Sequence, residues 1–170
     1  MNGNETDVWP VQDVFLSLGS NIGDRLAHLQ AAMHALAQEP EINIVKVSSV
    51  YETEPWGLAG QRAFYNAVVW IRTRLLPLDL LHLCQQIEKK QKRVRDVRWG
   101  PRTLDIDILR YGRQTINSLE LTIPHPRMEE RDFVMVPLAE VEQGIAPDRP
   151  GVRRIIGYWY PADDNLGSDL

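Results

Sequence analysis

Arg98-Trp99-Gly100-Pro101-Arg102-Thr103-Leu104-Asp105-Ile106-Asp107-Ile108-Leu109 reads as a basic, turn-rich loop running straight into a short strand. Side chains on a strand alternate between faces, so Asp105 and Asp107 share one face while Leu104, Ile106 and Ile108 share the other. One face suits a core and the other suits charge. Two neighbouring carboxylates repel unless a cation lies between them, and Mg²⁺ is commonly held by one or two carboxylates together with substrate phosphates. The forked guanidinium groups of Arg98 and Arg102, entering the same strand, match phosphate oxygens. A lone pair of aspartates at this spacing would be better explained as the solvated face of an edge strand. The arginines and the apolar opposite face favour a metal and phosphate site.

Working outward, residues 14–18 read as a buried strand ending in Gly19-Ser20. Asp24 suits a helix N-cap, and Leu26, Leu29, Met33 and Leu36 follow at helical spacing until Pro40. Residues 42–51 alternate as a strand of irregular phase, and residues 63–75 as another. Between them, Glu54-Pro55-Trp56-Gly57 and Ala59-Gly60 mark a loop. Pro77 favours the first turn of a second helix, with Leu80, Leu83, Cys84 and Ile87 on one side. The order β-α-β-β-α-β predicts an α+β fold: a ferredoxin-like βαββαβ core, an antiparallel sheet with both helices on one face. A short strand near residues 119–123 and a helix near 131–141 are expected to cover the other face. A single domain over residues 1–170 is expected, with the aromatic cluster of residues 153–160 on its edge and a disordered tail at 161–170.

Composition narrows the function. A 170-residue chain with 44% hydrophobic residues is enough for one core. A net charge of −4 excludes the basic footprint of a general nucleic-acid binder. Yet Lys89, Lys90, Lys92, Arg93, Arg95, Arg98 and Arg102 face only Asp96, a basic island that fits a small polyanion. With Cys84 the only cysteine, no internal disulfide can form, and the residue reads as a small core side chain. Residues 1–12 lack the apolar centre of a secretory signal, and the longest clear apolar run, residues 67–71, is far short of the ~20 residues needed to cross a bilayer. The expectation is a cytoplasmic monomer without nucleic-acid or membrane partners.

The block from Arg98 also resembles the signature of the 6-hydroxymethyl-7,8-dihydropterin pyrophosphokinase family. Further blocks stand in that family's order: Ser17-Leu18-Gly19-Ser20-Asn21 with Gly23-Asp24-Arg25, Tyr51-Glu52-Thr53-Glu54-Pro55-Trp56-Gly57, Phe64-Tyr65-Asn66, Ile123-Pro124-His125-Pro126-Arg127 and Arg131-Asp132-Phe133. The likeness runs from about residue 14 to 141. It implies pyrophosphoryl transfer from ATP to hydroxymethyldihydropterin, with AMP released, in folate synthesis.

Carried over residue by residue, the resemblance implies catalytic roles for Arg93, Arg102, Asp105 and Asp107, the two aspartates holding two Mg²⁺ ions. It implies ATP contacts from Glu88, Arg95, Arg98, Trp99, Ile108, His125 and Arg131. Pterin contacts are implied for Thr53, Glu54, Trp56, Phe64, Asn66 and Phe133. The residue types agree with those roles: a flat heterocycle suits two aromatic faces, and an amide offers both a donor and an acceptor. Glu54, Lys92 and Pro126 depart from the family pattern. A different two-metal nucleotidyl or phosphoryl transferase on a ferredoxin-like core is the alternative. It leaves Asn66, Phe64 and the Pro124-His125-Pro126 loop without a task. An RNA-binding module is a third reading, disfavoured by the acidic charge and the lack of a run of strand aromatics.

Overall fold

A computed structural model describes residues 10–54, 62–91 and 103–161. The expectations for Trp56, Arg93, Arg95, Arg98, Trp99 and Arg102, and for most of the C-terminal tail, lie outside these residues.

Among the described residues the chain folds as an antiparallel sheet with three α-helices. Strand β1 (Gln12–Ser20) leads to helix α1 (Arg25–Ala37), then to β2 (Ile42–Val47), β3 (Val50–Thr53) and β4 (Phe64–Thr73). Helix α2 (Pro77–Gln91), β5 (Asp105–Tyr111), a small hairpin of β6 (Ile116–Asn117) and β7 (Thr122–Ile123), helix α3 (Asp132–Gln143) and β8 (Val152–Ile156) follow. The strand order is β5-β1-β4-β3-β8, with β2 also paired to β4.

Local chemistry sets the helix limits. The Asp24 carboxylate accepts from the Ala27 N–H at 3.0 Å, satisfying one of the donors that every helix start leaves open. Pro77 opens α2, where its missing N–H costs nothing. Gly144, with φ of 77°, ends α3 in the left-handed region that other residues reach only with strain.

Alternation then sorts each strand into two faces. Val14, Leu16 and Leu18 of β1, Ala67, Val69 and Ile71 of β4, and Ile106 and Ile108 of β5 pack with Leu29, Met33, Leu36, Leu80, Cys84 and Ile87 of α1 and α2. Burying each large aliphatic side chain contributes roughly 1.5–3 kcal/mol. On the other face α3 packs Val134, Leu138 and Val141 onto Val68 and Leu109, with Phe15 and Trp70 beside them.

The register of β5 on β1 shifts between Phe15 and Leu16, which pair with Arg110 and Ile108 and leave Leu109 as an extra residue. Leu109 faces α3, Arg110 pairs with Glu142 of α3, and Tyr111 returns to the α1 and α2 side. The irregularity re-aims the end of β5, as bulges do.

Two expectations are corrected. Residues 42–51 are not one strand: Ser48-Ser49 separates β2 from β3. The Ser48 hydroxyl accepts from Val68 N–H at 2.9 Å and donates to the Ser49 carbonyl, taking the place of ladder bonds. The β6–β7 hairpin does not cover the α3 face; Leu121 and Ile123 join the α1 and α2 core instead. The aromatic cluster near the C-terminus does pack on the edge. Strand β8 pairs with β3, and the buried Trp159 donates its indole N–H to the Ser48 carbonyl at 2.7 Å.

Candidate active site

Strand register assembles the site. Asp105 of β5 lies opposite Gly19 of β1, Gly19 opposite Asn66 of β4, and Asn66 opposite Tyr51 of β3. These residues form one row across four strands on the face that α3 partly covers. The neighbouring row runs Asp107–Ser17–Val68, and on the other side Phe64 pairs with Thr53. Asp105 and Asp107 are thus adjacent on one face, half-buried, with Ile106 and Ile108 buried behind them.

At the other end of the row the polar groups are tightly fixed. Asn66 is only 4% exposed, and its amide nitrogen donates to the Thr53 hydroxyl at 2.7 Å. That bond sets which end of the amide is which. Phe64 starts β4 on the same face, half-buried. Phe133 stands in the first turn of α3, also half-buried, with the Arg131 guanidinium 5.7 Å from its ring centre. Glu54 follows β3 directly and is exposed.

The remaining expected nucleotide contacts divide. Ile108 has its side chain in the core, on the face opposite Asp105 and Asp107. Glu88 of α2 accepts from the Ile106 N–H at 3.2 Å, tying α2 to the strand that carries the carboxylates. His125 hangs from β5 through its N–H to the Leu109 carbonyl at 2.9 Å. Its Nδ1 accepts from Arg127 N–H at 3.3 Å, which leaves the proton of the neutral ring on Nε2.

Burial first, then the Arg131 and Arg127 guanidinium groups, hold the His125 pKa below that of a free imidazole, against the opposing pull of Asp105. The neutral ring is the favoured form in the folded chain. Its contribution to stability is therefore present above the unfolded value of about 6.5 and is lost as pH falls towards the lowered folded one. An NMR titration of the ligand-free chain should place the His125 midpoint below the ~6.5 of a free imidazole, and a midpoint above that value would contradict this arrangement.

The sequence reading missed one polar cluster. Glu140 of α3 accepts from the Ser49 N–H with both carboxylate oxygens at 3.1 Å, from the Ser49 hydroxyl at 2.6 Å and from the Tyr51 hydroxyl. Its only trace in the sequence is the phase slip at Ser48-Ser49. Burial, then the Glu140 carboxylate, pushes the Tyr51 phenol well above its ordinary range, so it stays a donor.

A row that joins paired carboxylates to a buried, oriented amide is what a phosphorylated ligand and a flat heterocycle would need side by side. The model of the family described as 7,8-dihydro-6-hydroxymethylpterin-pyrophosphokinase (HPPK) matches residues 15–143. The chain belongs to this family. The 2-amino-4-hydroxy-6-hydroxymethyldihydropteridine pyrophosphokinase of Bacillus subtilis is 48% identical over 146 residues, covering 82% of this chain and 87% of the relative. The protein of that name from Pseudomonas aeruginosa is 46% identical over 138 residues, covering 81% and 83%. A solved structure of wild-type HPPK-DHPS from Plasmodium falciparum superposes with a TM-score of 0.63 at 17% identity, covering 81% of this chain and 42% of that one. The chain thus spans less than half of that larger HPPK-DHPS chain, and the likeness shows the fold.

Proposed function

We propose that this chain transfers the pyrophosphoryl group of ATP to 6-hydroxymethyl-7,8-dihydropterin, releasing AMP, as one domain over residues 1–170. The observation that carries the proposal is the row Asp105–Gly19–Asn66. It joins a carboxylate pair to a buried amide within an HPPK-family fold. In this reading the substrate hydroxymethyl oxygen bonds to the β-phosphorus of ATP and loses its proton to solvent, the bond from that phosphorus to the α,β-bridging oxygen breaks, and AMP departs with the bridging oxygen.

The two carboxylates fit Mg²⁺. Among the described residues no group of three or more His, Cys, Asp or Glu converges, so an all-protein cage is not built there. Two aspartates that leave the other positions to phosphates and water suit Mg²⁺. Asp105 and Asp107 would hold it, two ions by the family resemblance. When bound, Mg²⁺ would supply positive charge beside the phosphates and so lower the cost of charge on the attacked phosphorus.

The protein's own groups mainly position the reactants, which is most of what phosphoryl-type transfer requires. Asn66 reads the amino-pyrimidinone edge, because Thr53 already fixes the orientation of its amide. Phe64 and Phe133 offer ring faces to the heterocycle, with Glu54 beside them, and the family resemblance implies a pterin contact for Trp56. His125, as a neutral Nε2–H donor, and Arg131 face the nucleotide, with Glu88 supporting the strand beneath and the Ile108 backbone beside it. For Arg93, Arg95, Arg98, Trp99 and Arg102, which lie outside the described residues, the family resemblance implies roles at the phosphates and the nucleotide.

We also read the core as ferredoxin-like. Support comes from the order β5-β1-β4 followed by β2 and β3, antiparallel throughout, with α1 and α2 on one face. Among the described residues no helix is long and apolar enough to cross a membrane. A cytoplasmic monomer acting on small molecules completes the proposal.

The test is AMP release by the purified chain with Mg²⁺, ATP and the pterin alcohol. The expected result is one AMP per pterin consumed and no turnover when the pterin is withheld. Release of pyrophosphate instead of AMP would favour the nucleotidyl transferase reading and overturn this one.

A further inference from the structure

Gly19 lies in β1, between β4 and β5, where a glycine weakens the strand and needs a reason. Backbone conformation is not that reason. The described glycines with positive φ are Gly23, Gly112, Gly144 and Gly151, and Gly19 is not among them. Space is the remaining explanation. A Cβ at position 19 would meet the Asn66 Oδ1 at 3.0 Å, with the Tyr65 carbonyl next at 3.9 Å. Asn66 has little freedom to yield, since it is buried and its nitrogen is held by Thr53 at 2.7 Å. On the other side Gly19 pairs with Asp105, so its missing side chain leaves bare backbone midway between carboxylate and amide. Strands lie ~4.8 Å apart, so the two flanking strands are roughly 10 Å from each other across this gap.

We propose that Gly19 is a specificity-determining residue of this site. By having no side chain it keeps the Asn66 amide seated against Thr53, and it leaves the open floor across which the hydroxymethyl arm reaches from the pterin ring towards the phosphates. The inference rests on the reading of Asn66 as the pterin contact. It adds that the ring subsite and the phosphate subsite are kept continuous by the absence of a single methyl group. A strand residue of any size here would separate them.

The test is a double-mutant cycle of Gly19→Ala and Asn66→Ala. Calorimetry would measure 6-hydroxymethylpterin binding with Mg²⁺ and a non-hydrolysable ATP analogue present, and binding of the analogue alone. Gly19→Ala should weaken pterin binding at least tenfold, change analogue affinity less than twofold, and lower the melting temperature, a loss that Asn66→Ala should relieve. In the Asn66→Ala background the same substitution should cost less than threefold, because the group it collides with is gone. If Asn66→Ala weakens the pterin and Gly19→Ala does not, this inference falls while the site assignment stands. Independent losses that simply multiply would also overturn it. Wild-type pterin affinity in Asn66→Ala would overturn the site assignment, and this inference with it. Should Gly19→Ala fail to fold, the double variant decides: folding restored by Asn66→Ala supports the contact, and failure of both refutes it.

Discussion

Asp107→Ala and Asp105→Ala should each lower pterin-dependent AMP release by about a thousandfold or more, with the fold intact. A bound divalent ion supplies several kcal/mol of charge stabilisation in the transition state, and about 4 kcal/mol corresponds to a thousandfold in rate. The fold should survive because these carboxylates are half-buried on the ligand face, and the core of β5 is built from Ile106, Ile108 and Tyr111. Removing one of two like charges on adjacent same-face positions relieves repulsion. Each alanine variant should therefore stay folded at assay temperature. Asp107→Asn should lose less than Asp107→Ala, since an amide oxygen still binds a cation but brings no charge. Single-turnover measurement at saturating Mg²⁺, with thermal melts alongside, checks all three variants. An alanine variant within tenfold of wild type, or one that unfolds at assay temperature, would show that the strand had been assigned the wrong task.

The carboxylate strand was legible because a period of two is strict: Asp105 and Asp107 must share a face whatever surrounds them. The same held for the capped start of α1, where Asp24 bonds Ala27 as its position suggests. Asn66 could be singled out because an amide in an apolar strand demands a partner, which proves to be Thr53. Other features depend on contacts far apart in sequence. The break at Ser48-Ser49 left only a slipped phase. It is the indole of Trp159, 111 residues on, that meets the Ser48 carbonyl. Strand β8 has no clear alternation, since Arg153 and Arg154 are both exposed and Ile155 and Ile156 both half-buried. The small hairpin was placed on the wrong face because two-residue strands carry no usable period; packing of Leu121 and Ile123 decides it. Glu140 looks in the sequence like any helix-surface charge.

Glu140→Ala should lower the folding free energy by roughly 3 kcal/mol, a large loss for one residue of a helix. The carboxylate serves three donors at once: the Ser49 N–H, the Ser49 hydroxyl and the Tyr51 hydroxyl. Hydrogen bonds to a charged acceptor contribute about 1.5–3 kcal/mol each, but they share one group and do not add. Alanine leaves those donors facing a gap between α3 and β3. Glutamine keeps the shape and one acceptor oxygen, and its amide can donate to the Tyr51 oxygen, so Glu140→Gln should lose only about 1 kcal/mol. Because Tyr51 neighbours Asn66 in the row and Phe133 stands at the start of the same helix, the clamp also links the two sides of the proposed pterin pocket. Glu140→Ala should accordingly raise the pterin KM more than the ATP KM. Tyr51→Phe combined with Glu140→Ala should cost less than the sum of the two single changes, since one orphaned donor is then removed. Urea denaturation of the four chains gives the coupling directly. A loss below about 0.5 kcal/mol in Glu140→Ala, within the range of ordinary surface changes, would show that α3 is held to the sheet by its apolar face alone.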